Sequence, residues 1–486
     1  MRVAYHAGVL RALEEAGLNF SHVDGTSGGI INTAMVLSGL TPTEMCDRWR
    51  SLKVTDAFSP MPFREYLKGE HMMAMCDADG IVNKMFPHLG IDVQKINAAR
   101  GMTGTFNVCN FTRKTNEAIP NERVDLDLII AGMSLPIFMP PVRKDDVWYT
   151  DSVWLKDANL IEAVQRGAEE LWVLWIINNT PEYKTGFFNQ YVHMIEMSAN
   201  GSLIDEFERI NEINVRIRQG ETPYGHSRPI KLHLIKPRNP LPLDPELFLN
   251  HITTAGLIDM GYADAKQYLR DVSPEGLPLQ PETLMMPAET KPGVSFRETM
   301  TGGFSLGETD PRAGEQKGDN AGTKLSLHCD IDIHDIYRFM EDPQHSTPIT
   351  ARIDFAPLGM NIPASNAIFN LFRKGEDPKT KYFVYEAGFE HNGESYYLAG
   401  KKRVHDDPGF DMWADITTLF TLLHKSKDAS GPVVGAGVIY IKREQLIGLI
   451  PTFRATNTSG PAESLKVLAD FGRFFMAEIW DSYKKW

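Results

Sequence analysis

The chain has 486 residues, 42% of them hydrophobic and 23% charged, which is enough for two or three globular domains. Its formal net charge of -13 gives no support for a nucleic-acid partner, and no apolar run approaches the roughly 20 residues that a bilayer-spanning helix requires. Four scattered cysteines, Cys46, Cys76, Cys109 and Cys329, outline neither a disulfide framework nor a zinc cluster and read as buried or incidental thiols. The opening Met1-Arg2-Val3-Ala4-Tyr5-His6 starts no secretory signal, so the expectation is a cytoplasmic protein whose membrane contact, if any, is peripheral.

Near the start, Val3, Tyr5, Val9, Leu10 and Leu13 recur at helical spacing and lead to Glu14-Glu15-Ala16-Gly17, where the glycine suits a helix C-cap. Phe20-Ser21-His22-Val23-Asp24 can cross a core as a short strand. Gly25-Thr26-Ser27-Gly28-Gly29 then fits G-x-S-x-G, and Ile30, Ile31, Ala34, Met35 and Leu37 form a helical stripe ending near Ser38-Gly39. Another helix opens at Thr41-Pro42-Thr43-Glu44. Ser27 thus lies at a strand-to-helix junction, the setting of a nucleophile elbow, with Gly25, Gly28 and Gly29 small enough to let the sharp turn form. The alternative is a Gly-rich turn in which the serine caps a helix. His6, His22, His71 and His88 follow no Ser-His-Asp order and read as surface or structural residues.

Thr105-Phe106-Asn107-Val108-Cys109-Asn110-Phe111 is a strand candidate, and Leu171-Trp172-Val173-Leu174-Trp175-Ile176-Ile177 fits a strand buried on both faces. Residues 194–218 read as a helix with Glu206, Glu208, Arg209 and Glu212 on a solvated face. Residues 1–270 therefore alternate strands and helices as an α/β domain requires. The proline-dense stretch 271–293, with Pro274, Pro278, Pro281, Pro287 and Pro292, favours an extended linker. Beyond it the texture changes: Leu325, Leu327, Cys329, Ile331 and Ile333 alternate with polar residues, and His391-Asn392-Gly393 offers a hairpin turn. Gly435-Ala436-Gly437-Val438-Ile439-Tyr440-Ile441 adds a strand, the Gly-rich 302–322 reads as a mobile loop, and a helix closes the chain over 462–483. The expected organisation is an α/β domain over 1–270 and a mainly antiparallel β domain over 294–486.

A serine at an elbow needs a base, and the candidate is Asp151 in Trp148-Tyr149-Thr150-Asp151-Ser152. Tyr5-His6-Ala7-Gly8-Val9-Leu10-Arg11-Ala12-Leu13-Glu14-Glu15-Ala16-Gly17 followed by the GTSGG stretch resembles the opening of patatin-like phospholipases. Ala131-Gly132-Met133-Ser134-Leu135-Pro136 through Val142 resembles that family's approach to its catalytic aspartate, and Gly261-Tyr262-Ala263-Asp264-Ala265 resembles the end of such domains. The resemblance covers about the first 270 residues. It implies a three-layer α/β/α hydrolase fold and a Ser-Asp dyad, with Ser27 as nucleophile and Asp151 as base. Such a dyad cleaves lipid carboxylic esters through an acyl-enzyme, with neither metal nor cofactor. Gly28 is then the expected oxyanion donor beside Gly25 and Gly29 of the elbow.

Two departures from the family pattern set further expectations. Asp151-Ser152 stands where Asp-Gly is usual, with Asp157 where asparagine is common, so backbone strain is expected at Ser152. The family's glycine-rich oxyanion loop would precede the stretch matching Arg2-Val3-Ala4-Tyr5, and lost donors of that kind cost about 3 kcal/mol of transition-state stabilisation. A natural start upstream of Met1, or a catalytically impaired lipid-binding or scaffolding protein, are the two expectations that follow.

Ser295-Phe296-Arg297-Glu298-Thr299-Met300-Thr301-Gly302-Gly303-Phe304, Gly400-Lys401-Lys402-Arg403-Val404 and Asp415-Ile416-Thr417-Thr418-Leu419-Phe420 are similar to an accessory β domain of some cholesterol-oxidase-like flavoproteins. The flavin-binding glycine fingerprint does not occur here, so no redox cofactor follows. That resemblance implies lipid handling. Phe383, Tyr385 and Phe389 are candidates to line an apolar pocket, with core packing as the alternative.

Overall fold

A computed structural model describes the chain apart from residues 180, 182, 184, 239, 242–252, 287–290, 376–379, 405–415, 442–451, 459–460 and 484–486. It divides into two compact units, Met1–Ala288 and Glu289–Trp486. Asp415 and Pro287, singled out above, lie outside the described residues.

The first unit opens with α1 (Ala4–Glu15), which ends at Gly17 in the left-handed conformation, φ 78°. Strand β1 (His22–Gly25) feeds through the elbow into α2 (Gly29–Leu37). Helix α3 (Pro42–Ser51) starts on a capping box, with the Thr41 side chain accepting from the Glu44 amide and Glu44 answering to the Thr41 amide. A mixed sheet follows from β2 (Thr103–Asn110), β3 (Thr115–Pro120), β4 (Val142–Lys144) and β5 (Val147–Asp151), with α4 (Leu126–Met133) packed on it.

The pairing of β2 decides the site. Strand β3 runs antiparallel along one edge of β2 from Thr105 to Asn110, leaving the other edge to two strands. On that edge β1 lies parallel to the first half, ending with Gly25 opposite Phe106. From the other direction β5 lies antiparallel to the second half, ending with Asp151 opposite Val108. Two strands therefore meet end to end, C-terminus to C-terminus, beside Asn107.

Helix α5 (Leu160–Gln165), strand β6 (Glu170–Leu174), the long α6 (Phe187–Arg218), β7 (Lys231–Ile235) and α7 (Thr254–Arg270) complete the unit. Strands β6 and β7 form a parallel pair between two apolar layers. Leu171 and Val173 enter the core made with α5 and α6, whereas Trp172 and Leu174 pack towards the core of α1 to α3. Helix α7 crosses α1 closely because both carry glycine at the crossing. A Cβ on Gly8 would stand 1.9 Å from the Ile258 carbonyl oxygen, and one on Gly261 would stand 2.1 Å from that of Tyr5. Tyr5 Oη donates to Asp264 Oδ2 at 3.0 Å and Tyr262 Oη to Glu15 Oε2 at 2.6 Å, tying the same two helices.

Two expectations change here. Glu206 of α6 is buried, not solvated: Lys156 Nζ donates to its Oε1 and the Ile161 amide to its Oε2, each at 2.6 Å. The described part of the proline-dense stretch is anchored to the first unit. Leu277 donates its amide to Leu232 O at 2.7 Å, Met286 donates to Asn179 O at 3.0 Å, and the Leu284 side chain is buried.

Among the described residues the second unit forms one curled antiparallel sheet of eleven strands, β8 (Gly293–Leu306), β9 (Lys324–Ile333), β10 (Ser346–Pro348), β11 (Thr350–Phe355), β12 (Gly359–Pro363), β13 (Asn366–Lys374), β14 (Lys381–His391), β15 (Glu394–Val404), β16 (Thr418–His424), β17 (Val433–Tyr440) and β18 (Arg454–Thr456). Strand β9 alternates buried and half-buried residues, as its sequence predicts. The β14–β15 hairpin turns on Asn392 (φ 50°) and Gly393 (φ 75°), the two left-handed residues of a type I′ turn. The Gly-rich stretch is not a loop: it ends β8 and then forms helix α8 (Pro311–Ala321). Gly314 and Gly318 let α8 lie on β17 and β8, since a Cβ at either would come within 2.1 Å of Ala436 O or 2.3 Å of Phe304 N. Phe383, Tyr385 and Phe389 are core residues here, packed with Phe369, Phe372 and Leu398. A short α9 (Ile336–Glu341) and the terminal α10 (Pro461–Tyr483) cover this core.

Candidate active site

Ser27 follows β1 at a backbone φ of 51°, a left-handed conformation that a non-glycine residue adopts at a cost. Gly25 and Gly28 permit the turn. A Cβ on Gly25 would stand 2.5 Å from Thr33 Oγ1 and one on Gly28 2.6 Å from Val3 Cγ1. Gly29 faces open space, so sterics do not require glycine there. Its amide donates to Thr26 O at 2.8 Å, closing the turn, while Gly28 stands at the N-terminus of α2, the positive end of that helix dipole.

Ser27 Oγ donates to Asp151 Oδ2 at 2.7 Å across 124 residues of sequence. The other carboxylate oxygen of Asp151 accepts from the Val153 amide at 2.9 Å, and the Asp151 amide donates to Ser134 O at 3.1 Å. The first orients the carboxylate together with Ser27, and the second fixes the backbone that carries it. Ser134 follows α4, which lies against β2 because Gly132 has no side chain to strike Ile30 and Asn107. Burial raises the Asp151 carboxyl to about 7, against the opposing effect of the hydrogen bonds from Ser27 and Val153. Asp157 is raised to about 8 by burial and by the Asp151 carboxylate, with Arg2 acting in the opposite sense. The two carboxyls therefore titrate as an interacting pair.

Ser152 carries no left-handed backbone, contrary to the strain expected at that position. It is buried on the face of the strand opposite to Asp151, where its hydroxyl donates to Asn116 Oδ1. Asn116 and Asn159 both donate to Asn107 Oδ1, at 3.2 and 3.1 Å, and Asn107 donates to Asp24 Oδ1 at 2.7 Å. This amide cluster fixes the junction of β1, β2 and β5 from below. A polar partner for the residue after Asp151 replaces the freedom a glycine would bring.

The histidines lie elsewhere. His22 hydrogen-bonds Thr103 and Thr105, His88 bonds the Arg48 carbonyl and Ser51, and His71 is exposed. His6 is buried on α1, and burial lowers it to about 4, so it stays neutral. The four cysteines are free thiols, with Cys46, Cys109 and Cys329 buried and Cys76 half-buried. Among the described residues no group of three His, Cys, Asp or Glu side chains is placed to hold a metal ion.

Residues on either side of Asp151 in the chain reach an apolar groove of about 580 Å³, within the range of small-ligand sites; Ser27 and Asp151 themselves are not among its lining residues. Thr150 and Trp154, flanking Asp151, line it together with Cys109, Ile137 and Tyr191. Tyr191 Oη donates to Pro136 O at 2.7 Å, its ring packs edge-on to Phe138 and Trp154, and burial followed by the Asp151 charge pushes its phenol up to about 12. The Trp154 indole N–H has no hydrogen-bond partner among the described residues. The sequence reading missed this groove. Its one available signal was the apolar spacing Phe187, Tyr191, Met194 at the start of α6.

The structure thus brings together a hydroxyl held on a left-handed turn and a buried carboxylate that accepts its hydrogen bond. Residues 1–164 match the Patatin family, described as patatin-like phospholipase. Among solved structures, VipD from Legionella pneumophila is similar at 13% sequence identity and a TM-score of 0.29, over 55% of this chain. The chain spans 65% of the length of that protein. No curated protein matches the chain significantly.

Proposed function

We propose that the first unit hydrolyses carboxylic ester bonds of lipids through Ser27 and Asp151. The observation that carries this reading is the 2.7 Å hydrogen bond from Ser27 Oγ to the buried carboxylate of Asp151, whose chain neighbours Thr150 and Trp154 line an apolar groove. Asp151 takes the hydroxyl proton as Ser27 Oγ attacks the ester carbonyl. The oxyanion that forms is met by the Gly28 amide at the start of α2. Asp151 then protonates the departing alkoxide, leaving the acyl group on Ser27. Water attacks this acyl-enzyme with Asp151 again as base, releasing the fatty acid and restoring the hydroxyl. The groove lined by Trp154, Ile137 and Tyr191 takes the acyl chain. The similarity of the β unit's motifs to an accessory domain of sterol-acting flavoproteins supports lipid handling there as well.

Ser27→Ala is the test. Hydrolysis of a short-chain nitrophenyl ester and labelling by a fluorophosphonate probe are both expected to vanish, with a rate loss of about 10³ or more. Unchanged hydrolysis by the purified variant would remove the proposal.

The base must be ionised to accept a proton, so kcat/KM is expected to rise as pH increases through about 7 and to fall below it. A pH–rate profile on the same ester checks this. A profile flat from pH 5 to 9 contradicts Asp151 as base, because the neighbouring Asp157, raised to about 8, broadens the rise but does not erase it.

A further inference from the structure

We propose that the apolar surface surrounding the groove is the face by which this chain seats on a phospholipid bilayer or micelle, an inference that rests on the proposed lipid hydrolysis. Large apolar side chains scattered singly over a surface need no explanation, but a continuous collar of them does. One arc lies within residues 58–75, where Phe63 (76% exposed), Leu67 (72%), Met73 and Met75 stand in solvent. A second lies at the start of α6, where Phe187 is 84% exposed and Met194 and Met197 are exposed about two and three turns on.

The two arcs are joined through the chain between them. The Met75 amide donates to Ile137 O at 2.8 Å and the Cys76 amide to Phe138 O at 2.9 Å. The Phe138 ring meets Phe188 and Tyr191 of α6 edge-on. Ile137, Phe187 and Met194 belong at once to this surface and to the groove lined by Thr150 and Trp154. The groove mouth therefore opens inside the collar.

That position selects the occupant. A protein partner or a second copy seated on the collar would close the groove, whereas a lipid surface would deliver an acyl chain into it. Basic side chains stand at the margin, as an interfacial surface uses them towards lipid phosphates. Arg64 and Lys68 lie in the first arc, both beside Glu65, and Lys114 sits over the Phe111 ring at the groove. Glu70, next to His71, is the other acidic group of that arc. Glu65 is paired to Lys68, and Glu196, between Met194 and Met197 in the second arc, is met by His193 at 3.1 Å.

Flotation of the Ser27→Ala protein with phosphatidylcholine vesicles, pure or equimolar with phosphatidylglycerol, tests the surface apart from the chemistry. Binding to at least one composition is expected. Phe63→Ser combined with Leu67→Ser, both outside the groove, is expected to weaken vesicle binding and vesicle phospholipid hydrolysis about tenfold each, with soluble nitrophenyl ester hydrolysis within about twofold of the parent. A Met197→Ser variant tests the second arc independently and is expected to shift binding in the same direction. Parent protein that binds neither vesicle, variants that bind like the parent, equal loss on soluble and vesicle substrates, or lipid-free self-association abolished by the same changes would each overturn the assignment. Vesicle binding by a parent that hydrolyses no ester would support the surface and remove the hydrolase reading.

Discussion

Asp151→Asn is expected to lower kcat/KM for an ester by about 10³, within the range a general base contributes, while making the protein more stable above neutral pH. The catalytic half follows from the hydrogen bond. An amide at this position presents Nδ2 or Oδ1 to Ser27 Oγ but cannot carry away its proton. The stability half follows from burial. The Asp151 carboxyl sits at about 7 in the folded protein, against 3.8 when unperturbed. Between those values the native state holds a proton that the unfolded chain has released, so stability falls as pH rises through this window. The contribution is full below about pH 4 and lost above about pH 7, and amounts to at most about 4 kcal/mol. Asparagine removes that dependence. Thermal melts are therefore expected to coincide for parent and variant near pH 4 and to separate, with the variant melting higher, at pH 8. A variant that loses activity and also melts lower at pH 8 would mean that the carboxylate serves the fold more than the chemistry.

Glu206→Ala is expected to destabilise the first unit by about 3 kcal/mol and to depress activity although Glu206 touches neither Ser27 nor Asp151. The carboxylate is buried and receives Lys156 Nζ and the Ile161 amide, so it clamps α6 to the segment that leads out of β5. Removing it leaves the Lys156 ammonium, itself largely covered, without its partner and frees an amide at the start of α5. That segment carries Val153, whose amide anchors Asp151, and Trp154, which walls the groove. Chemical denaturation reads the first effect. For the second, a fall in kcat that Glu206→Gln partly restores distinguishes positioning of the segment from loss of charge alone, since the amide oxygen can still accept from Ile161. Unaltered stability in Glu206→Ala would show that the clamp contributes nothing net.

Much of this protein is written in local sequence. Apolar spacing in Val3 to Leu13 and Ile30 to Leu37, the capping box at Thr41 and Glu44, and the alternation along Leu325 to Ile333 each specify an element through its nearest neighbours in the chain. The Asn392-Gly393 turn is legible for the same reason, since both residues accept positive φ. The elbow is local too: small residues around Ser27 admit a turn that bulkier ones would clash with.

What only the tertiary structure decided is what each element meets. Gly302 to Gly322 reads as loop because glycine disfavours regular structure, yet Gly314 and Gly318 are the residues that let a helix lie against β8 and β17. Glu206 reads as solvated because its helix neighbours are charged, and it is buried because Lys156 and the Ile161 amide arrive opposite it. The groove and its collar draw on residues from five separate stretches, which no periodicity joins. Ser27 and Asp151 come together because β1 and β5 share one edge of β2 and run towards each other, a consequence of strand pairing over more than a hundred residues. Composition and period encode which residues prefer helix, strand or turn, because those preferences act within a few bonds. Burial, pairing edge and the pKa of a carboxylate depend on what the rest of the chain places beside it, and so are settled only when the chain has folded.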